Sequence, residues 1–228
     1  MLPLKDNVPT RSFPIVTVSL VLINVLVWIF YELPNLEQSV NELAYHPCEV
    51  QNACPVVGED WPLTAVTSMF MHGSWDHLLG NMLFLWIFGN NVEDSMGRVR
   101  FIAFYLVGGF AATALQTFVT LSYGSPAEAT IPNLGASGAV SAVLGGYLLL
   151  LPRASVLTLI FFFLLREIRA IWFLGIWFAF QLWSGSGSLE HPEEGGGVAF
   201  FAHIGGFVFG MAAVYLFAGK RRPLRPRY

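Results

Sequence analysis

Charge is scarce in this chain. Only 12% of its 228 residues are Asp, Glu, Lys or Arg, about half the share of an ordinary soluble domain. With 55% hydrophobic residues and a mean hydropathy of +0.59, a disordered chain is excluded and a soluble one is disfavoured. Cysteine is nearly missing as well. Cys48 and Cys54 are the only two, too few for a disulfide framework and without zinc-ligand spacing. They share one segment and are either a pair or two free thiols. A net charge of -3 gives no sign of nucleic acid as a partner. The most informative absence is local. Residues 32–76, 123–133 and 184–197 hold no Lys or Arg. All twelve cationic side chains lie in 1–12, 93–100, 152–169 and 219–228.

What the chain has instead is apolar runs, with twenty Phe, seven Trp and twenty-two Gly. Aromatics suit bilayer boundaries and Gly suits close helix packing. Six segments are candidates for spanning helices, which need about 20 apolar residues: 13–31, 77–92, 101–122, 134–151, 170–183 and 198–218. The first exceeds a signal-peptide core and lacks a small-residue cleavage site after it. The one-sided distribution of Lys and Arg puts both termini in the cytoplasm and requires an even number of spans. The expectation is therefore an all-α, polytopic six-helix bundle forming a single membrane domain over 1–228. Val156–Leu165 is too short to span and reads as an interfacial or re-entrant piece. The basic tail Lys220–Arg227 reads as a stop-transfer anchor. Gly185, Gly187 and Gly195–Gly197 suggest a mobile lid over 184–197.

Polar groups inside apolar spans are costly, so each needs a reason. His77 and Asn81 lie in the second segment, Ser137 in the fourth and His203 in the sixth. The charge pattern makes these three helices descend from the same outer face, so all four side chains share a depth. Singly, each has a plain explanation: small-residue packing for Ser137, snorkelling for His77, mutual hydrogen bonding for Asn81. Together they supply acyl-transfer chemistry. A serine hydroxyl needs a base, and His is the usual one. An oxyanion needs donors, which an Asn amide, a His N–H and a backbone N–H at a helix start provide. No Asp or Glu is placed to orient His203, so the constellation is a dyad.

The motifs His72-Gly-Ser-Trp-Asp-His77-Leu-Leu-Gly-Asn81, Glu93-Asp-Ser-Met-Gly97, Gly135-Ala-Ser137-Gly138 and Ala202-His203 with Gly206 and Gly210 resemble the rhomboid family of intramembrane serine proteases, over essentially the whole chain. The resemblance implies a six-helix bundle, Ser137 as nucleophile and His203 as general base. His77, Asn81 and the Ser137 amide would form the oxyanion hole, with Gly135, Gly138, Gly206 and Gly210 as motif and packing positions. The substrates implied are transmembrane segments of other proteins in the lipid bilayer, cut near the outer face without metal or cofactor. One position departs from the family pattern: Ser141 stands where many relatives carry an aromatic under the catalytic histidine. Ser141 is either a packing residue or a local hydrogen-bonding group. The rivals are an inactive relative that binds client transmembrane helices, a small channel, and a metal hydrolase using His72, His77 and His203. The lack of a transit peptide suits a prokaryotic cytoplasmic membrane. Substrate identity, cleavage-site preference and oligomeric state are not encoded legibly.

Overall fold

In the computed structural model, residues 1–54, 60–161, 163–190 and 198–219 are described. Strand β1 (Leu2–Asp6) precedes α1 (Ile15–Val27), which continues through a π-helical turn, Trp28–Glu32. The segment after it holds two short helices, α2 (Leu36–Leu43) and α3 (Trp61–Thr67). A bond between Cys48 and Cys54 closes a loop between them, which resolves the cysteine question in favour of pairing. Next come α4 (Trp75–Phe84), a π-helical stretch Leu85–Gly89 and α5 (Asn90–Met96), in effect one helix, and then α6 (Arg98–Tyr123). The remainder is α7 (Ser137–Leu150), β2 (Ser155–Ile160), β3 (Leu164–Arg169), α8 (Ala170–Glu190) and α9 (Phe200–Phe217).

Among the described residues three helices are long and apolar enough to cross a membrane: Ile15–Glu32, α6 and α9. Helix α7 is apolar but has only 14 residues, about 21 Å at 1.5 Å per residue. That is short of the ~30 Å hydrocarbon layer. It is the central helix, with every residue from Ala139 to Tyr147 buried, and it packs against both α6 and α9, which also pack against each other.

Two expectations are corrected. The chain is mainly helical but not all-α: β1, β2 and β3 form an antiparallel sheet in that order. The stretch read as a re-entrant piece is its central hairpin. Residues 156–165 are apolar on both faces save Thr158, which hides the two-residue alternation that marks a strand. Val156 and Thr158 are fully buried while Leu157 and Leu159 are only partly covered. The second correction concerns 184–190, read as loop but helical as the end of α8. Ser186 Oγ and Ser188 Oγ donate to the Trp183 and Gly185 carbonyls, and Gly185 lies against Phe200, Phe201 and Ile204. Packing on α9 thus carries the helix through a Gly/Ser-rich stretch. The rest of the expected lid, 191–197, and the basic tail 220–228 lie outside the described residues.

The Glu93-Asp94 pair turns out to hold the fold. Glu93 accepts from the Val16 and Thr17 amides and from Thr17 Oγ1, so it caps the start of α1. Asp94 accepts from the Arg11 amide and Ser12 Oγ. Nearby, Asp6 on β1 accepts from Tyr147 Oη at 2.6 Å and Asn91 Nδ2 at 2.7 Å, tying the sheet to the central helix. Burial pushes the Asp6 carboxyl up to about 6. A raised folded-state value favours folding fully below the unfolded value of 3.8, and this contribution is lost as pH rises through about 6. Asp6→Asn should therefore flatten part of the pH dependence of thermal unfolding between pH 5 and 7.5. Identical slopes for variant and wild type would contradict this.

Candidate active site

The segment leading to Ser137 is held by the stretch between α1 and α4. Asn133 and Tyr45 exchange both backbone hydrogen bonds, and the Gly135 amide donates to the Ser68 carbonyl at 2.8 Å. Gly135 has φ +121°, a conformation that costs side-chain-bearing residues dearly. A Cβ there would lie 2.6 Å from His77 Nε2 and 3.6 Å from Ser137 Oγ. The missing side chain is what lets the imidazole of His77 sit beside the serine. Ser137 is the first residue of α7, where backbone N–H groups have no intrahelical partner.

His77 and Asn81 stand one turn apart on α4. Ser74 caps this helix by accepting from the His77 amide at 3.2 Å, and Glu32 fixes the preceding turn by accepting from the His72 amide at 2.7 Å. The Asn81 side chain is buried, and its Nδ2 has no hydrogen-bond partner among the described residues. An unpaired buried donor is expensive, and this one lines a cavity. His72 is fully buried, edge-on to His77 with ring centroids 5.1 Å apart. Burial, and then the neighbouring His77, pull the His72 imidazole down to about 3, so it is neutral at physiological pH.

His203 comes from α9, one turn from its start. The α7/α9 contact is backbone to backbone: a Cβ on Gly206 would meet the Gly138 carbonyl oxygen at 2.1 Å, and one on Gly210 would meet that of Ala142 at 2.0 Å. A Cβ on Gly138 would instead strike Ala112 of α6, at 2.6 Å. Three helices thus meet through small residues at the level of Ser137. One cavity of about 620 Å³ is lined by His77, Asn81, Ser137 and His203 together, with Phe84 and Trp177 among its apolar walls. Ser137 Oγ and His203 share this cavity without a hydrogen bond between them.

Sequence reasoning missed the group that orients His203. Gln181 Oε1 of α8 lies 2.8 Å from His203 Nδ1, and the Trp177 ring covers the imidazole at a centroid distance of 6.0 Å. An amide oxygen at that place favours the tautomer with the proton on Nδ1 and the lone pair on Nε2. The signal was available: Gln181 is the only amide or charged side chain in 170–183, and it follows Trp177 by one helical turn. Ser141, the departure from the family pattern, is 1% exposed. Its Oγ donates to the Ser137 carbonyl at 2.6 Å, and its Cβ is 3.2 Å from where a Gly206 Cβ would stand. It is therefore both a small packing residue and a local hydrogen-bond donor, and Trp177 supplies from α8 the ring that position 141 lacks.

Comparison with known proteins identifies the family. A family model described as the Rhomboid domain matches residues 60–220. Rhomboid protein 1, mitochondrial, of Saccharomyces cerevisiae (strain ATCC 204508 / S288c) is 30% identical over 154 residues, 65% of this chain and 40% of its own length. Presenilin-associated rhomboid-like protein A, mitochondrial, of Danio rerio is 36% identical over 92 residues, 40% of this chain and 23% of its own length. A Bacillus subtilis (strain 168) protein, provisionally named a rhomboid protease, is 33% identical over 138 residues, 60% of this chain and 63% of its own length. The chain spans less than half the length of these mitochondrial relatives. With the Rhomboid domain covering most of its length, the chain belongs to the rhomboid family.

Proposed function

We propose that this protein is an intramembrane serine endopeptidase that cuts transmembrane segments of other membrane proteins near the outer face, using a Ser137/His203 dyad. The observation that carries the reading is the single cavity shared by Ser137, His203, His77 and Asn81. In the mechanism, Ser137 Oγ attacks the scissile carbonyl carbon while His203 Nε2 takes its proton. The oxyanion is met by the Ser137 amide, Asn81 Nδ2 and His77. As the C–N bond breaks, His203 returns the proton to the leaving amine. Water then attacks the acyl-serine with His203 again as base. Gly135, Gly138, Gly206 and Gly210 serve as approach and packing positions. The inactive client-binding reading gains no support from a site with both dyad members present.

The setting we propose is one membrane domain of six spanning helices, comprising the three long apolar ones, α7, α8 and the α4–α5 helix. Both termini are then on the cationic, cytoplasmic side of a prokaryotic membrane. No metal or cofactor enters the chemistry, because serine, histidine and backbone donors suffice for it.

Two predictions test the division of labour. Asn81→Ala should slow turnover of a transmembrane substrate by about 100- to 1000-fold, the usual loss for one oxyanion donor, while leaving thermal unfolding unchanged or slightly improved. Full turnover would remove Asn81 from the oxyanion hole. Gln181 is a positioning residue, since it acts through His203. Gln181→Leu should lower the rate on the order of tenfold and shift the acidic limb of the pH–rate profile, with Gln181→Glu restoring part of the rate. A lower rate with an unmoved pH profile would make Gln181 merely structural.

A further inference from the structure

We propose that the three-stranded sheet is a lipid-docking surface. Its hairpin tip enters the hydrocarbon of the leaflet on the cationic side, and its base binds anionic phospholipid headgroups. This rests on the membrane-bundle reading and is independent of proteolysis.

The first ground is polarity along the strands. Cross-strand partners share a face, and the register assigns the outward rows. Nearest the tip lie Leu2, Leu159 and Leu165. Next come Lys5, Leu157 and Glu167, and last Ser155 and Arg169, with Arg153 just beyond the strand. The outward face therefore grades from wholly apolar at the tip to charged at the base. The tip itself carries Phe161 and Phe163, which are 75% and 81% exposed. Phe161 is held at φ 49°, a left-handed conformation that a bulky residue adopts only against a steric cost. Two exposed aromatic side chains at a strained turn would be a liability in water and are at home in a bilayer.

The second ground is placement, which the polarity does not predict. Asp6, near the base, bonds to Asn91 toward the cationic end of the α4–α5 helix. From there β1 packs against that helix through both its π-helical stretch and α4, so the strand runs back toward the middle of the spanning helix. Strand β3 passes directly into α8 at Ala170. The sheet thus lies alongside the bundle, apolar end toward mid-membrane and charged end outward. Its six-residue strands extend about 20 Å at 3.3 Å per residue, close to half of the ~40–45 Å bilayer with its headgroup regions included. One leaflet is the depth it fits. Open strand edges are poorly tolerated in hydrocarbon, and here Pro3 removes one edge donor while Arg166 Nη1 donates to the Leu165 carbonyl.

The experiment uses the full chain in vesicles of phosphatidylcholine, with and without phosphatidylglycerol. A nitroxide is placed at Phe163→Cys, the native cysteines being bonded to each other. Leu216→Cys on α9 and Gln51→Cys outside serve as references. Accessibility to oxygen and to a water-soluble nickel chelate is read by EPR. The expected result is a Phe163 label that matches Leu216: oxygen-accessible and shielded from nickel by at least severalfold relative to Gln51. A Phe163 label as nickel-accessible as Gln51, with Leu216 shielded, would overturn the proposal. Were Leu216 also nickel-accessible, the membrane-bundle reading itself would fall. Shielding from both reagents with dipolar broadening would mean a second copy covers the face, and would also overturn it. For the base, Arg153→Gln/Arg169→Gln should lower phosphatidylglycerol retained on the purified protein severalfold, and unchanged retention would remove the headgroup assignment.

Discussion

Ser137→Ala is expected to abolish cleavage of a transmembrane substrate and labelling by a fluorophosphonate together, a fall of about 10,000-fold or more. In the proposed mechanism the enzyme-bound ester forms on this hydroxyl. The hydroxyl of Ser137 is the group that shares its cavity with His203, His77 and Asn81. The neighbouring hydroxyl of Ser141 already donates to the Ser137 carbonyl. His203→Ala should come close to the same loss, because an unassisted serine is a weak nucleophile. Ser141→Ala is the control one turn away and should retain most activity. The measurement is single-turnover cleavage in proteoliposomes alongside gel-based fluorophosphonate labelling. Normal cleavage by Ser137→Ala would end the serine-protease reading and bring the client-binding one forward.

Gly206→Ala should have the next largest effect, although the residue touches no substrate. The new methyl would stand 2.1 Å from the Gly138 carbonyl oxygen and 3.2 Å from Ser141 Cβ. Both are fixed parts of α7, so no flexible side chain can move aside. The two helices must part by about 1 Å, and a displacement of that size between reacting groups costs on the order of 100-fold in rate. Overpacking should also remove about 1–3 kcal/mol of stability. Labelling of Ser137 and the thermal midpoint in detergent should therefore fall together. Gly175→Ala is the matched control, since a Cβ there has nothing within 4 Å and should leave both unchanged. A Gly206→Ala protein with wild-type labelling would show that α7 and α9 separate without moving the dyad.

The four polar side chains were legible because hydrocarbon makes polarity conspicuous. Ser137, His77, Asn81 and His203 stand out in apolar runs, and the structure brings them to one cavity. Gln181 carried the same signal and was passed over, because a single amide has no motif around it and its partner lies on another helix. The sheet was not legible. Leu2–Asp6 and Ser155–Ile160 are far apart in sequence, and neither shows the alternation of a half-buried strand. The continuation of α8 to Glu190 was hidden for a related reason: Gly and Ser favour loops by propensity, and tertiary packing overrode them.

Local composition shows what must leave water: apolar runs of helical length, cations confined to four segments, and a few polar groups too costly to be idle. These depend on local composition and on the solvent, so they can be read without coordinates. Folding in three dimensions settles which small residue meets which backbone, that Gln181 and Trp177 hold His203, that Glu93 caps α1, and that the amino terminus completes a sheet. Those contacts join residues tens to over a hundred positions apart. Close packing selects them from many compatible pairings by fit alone.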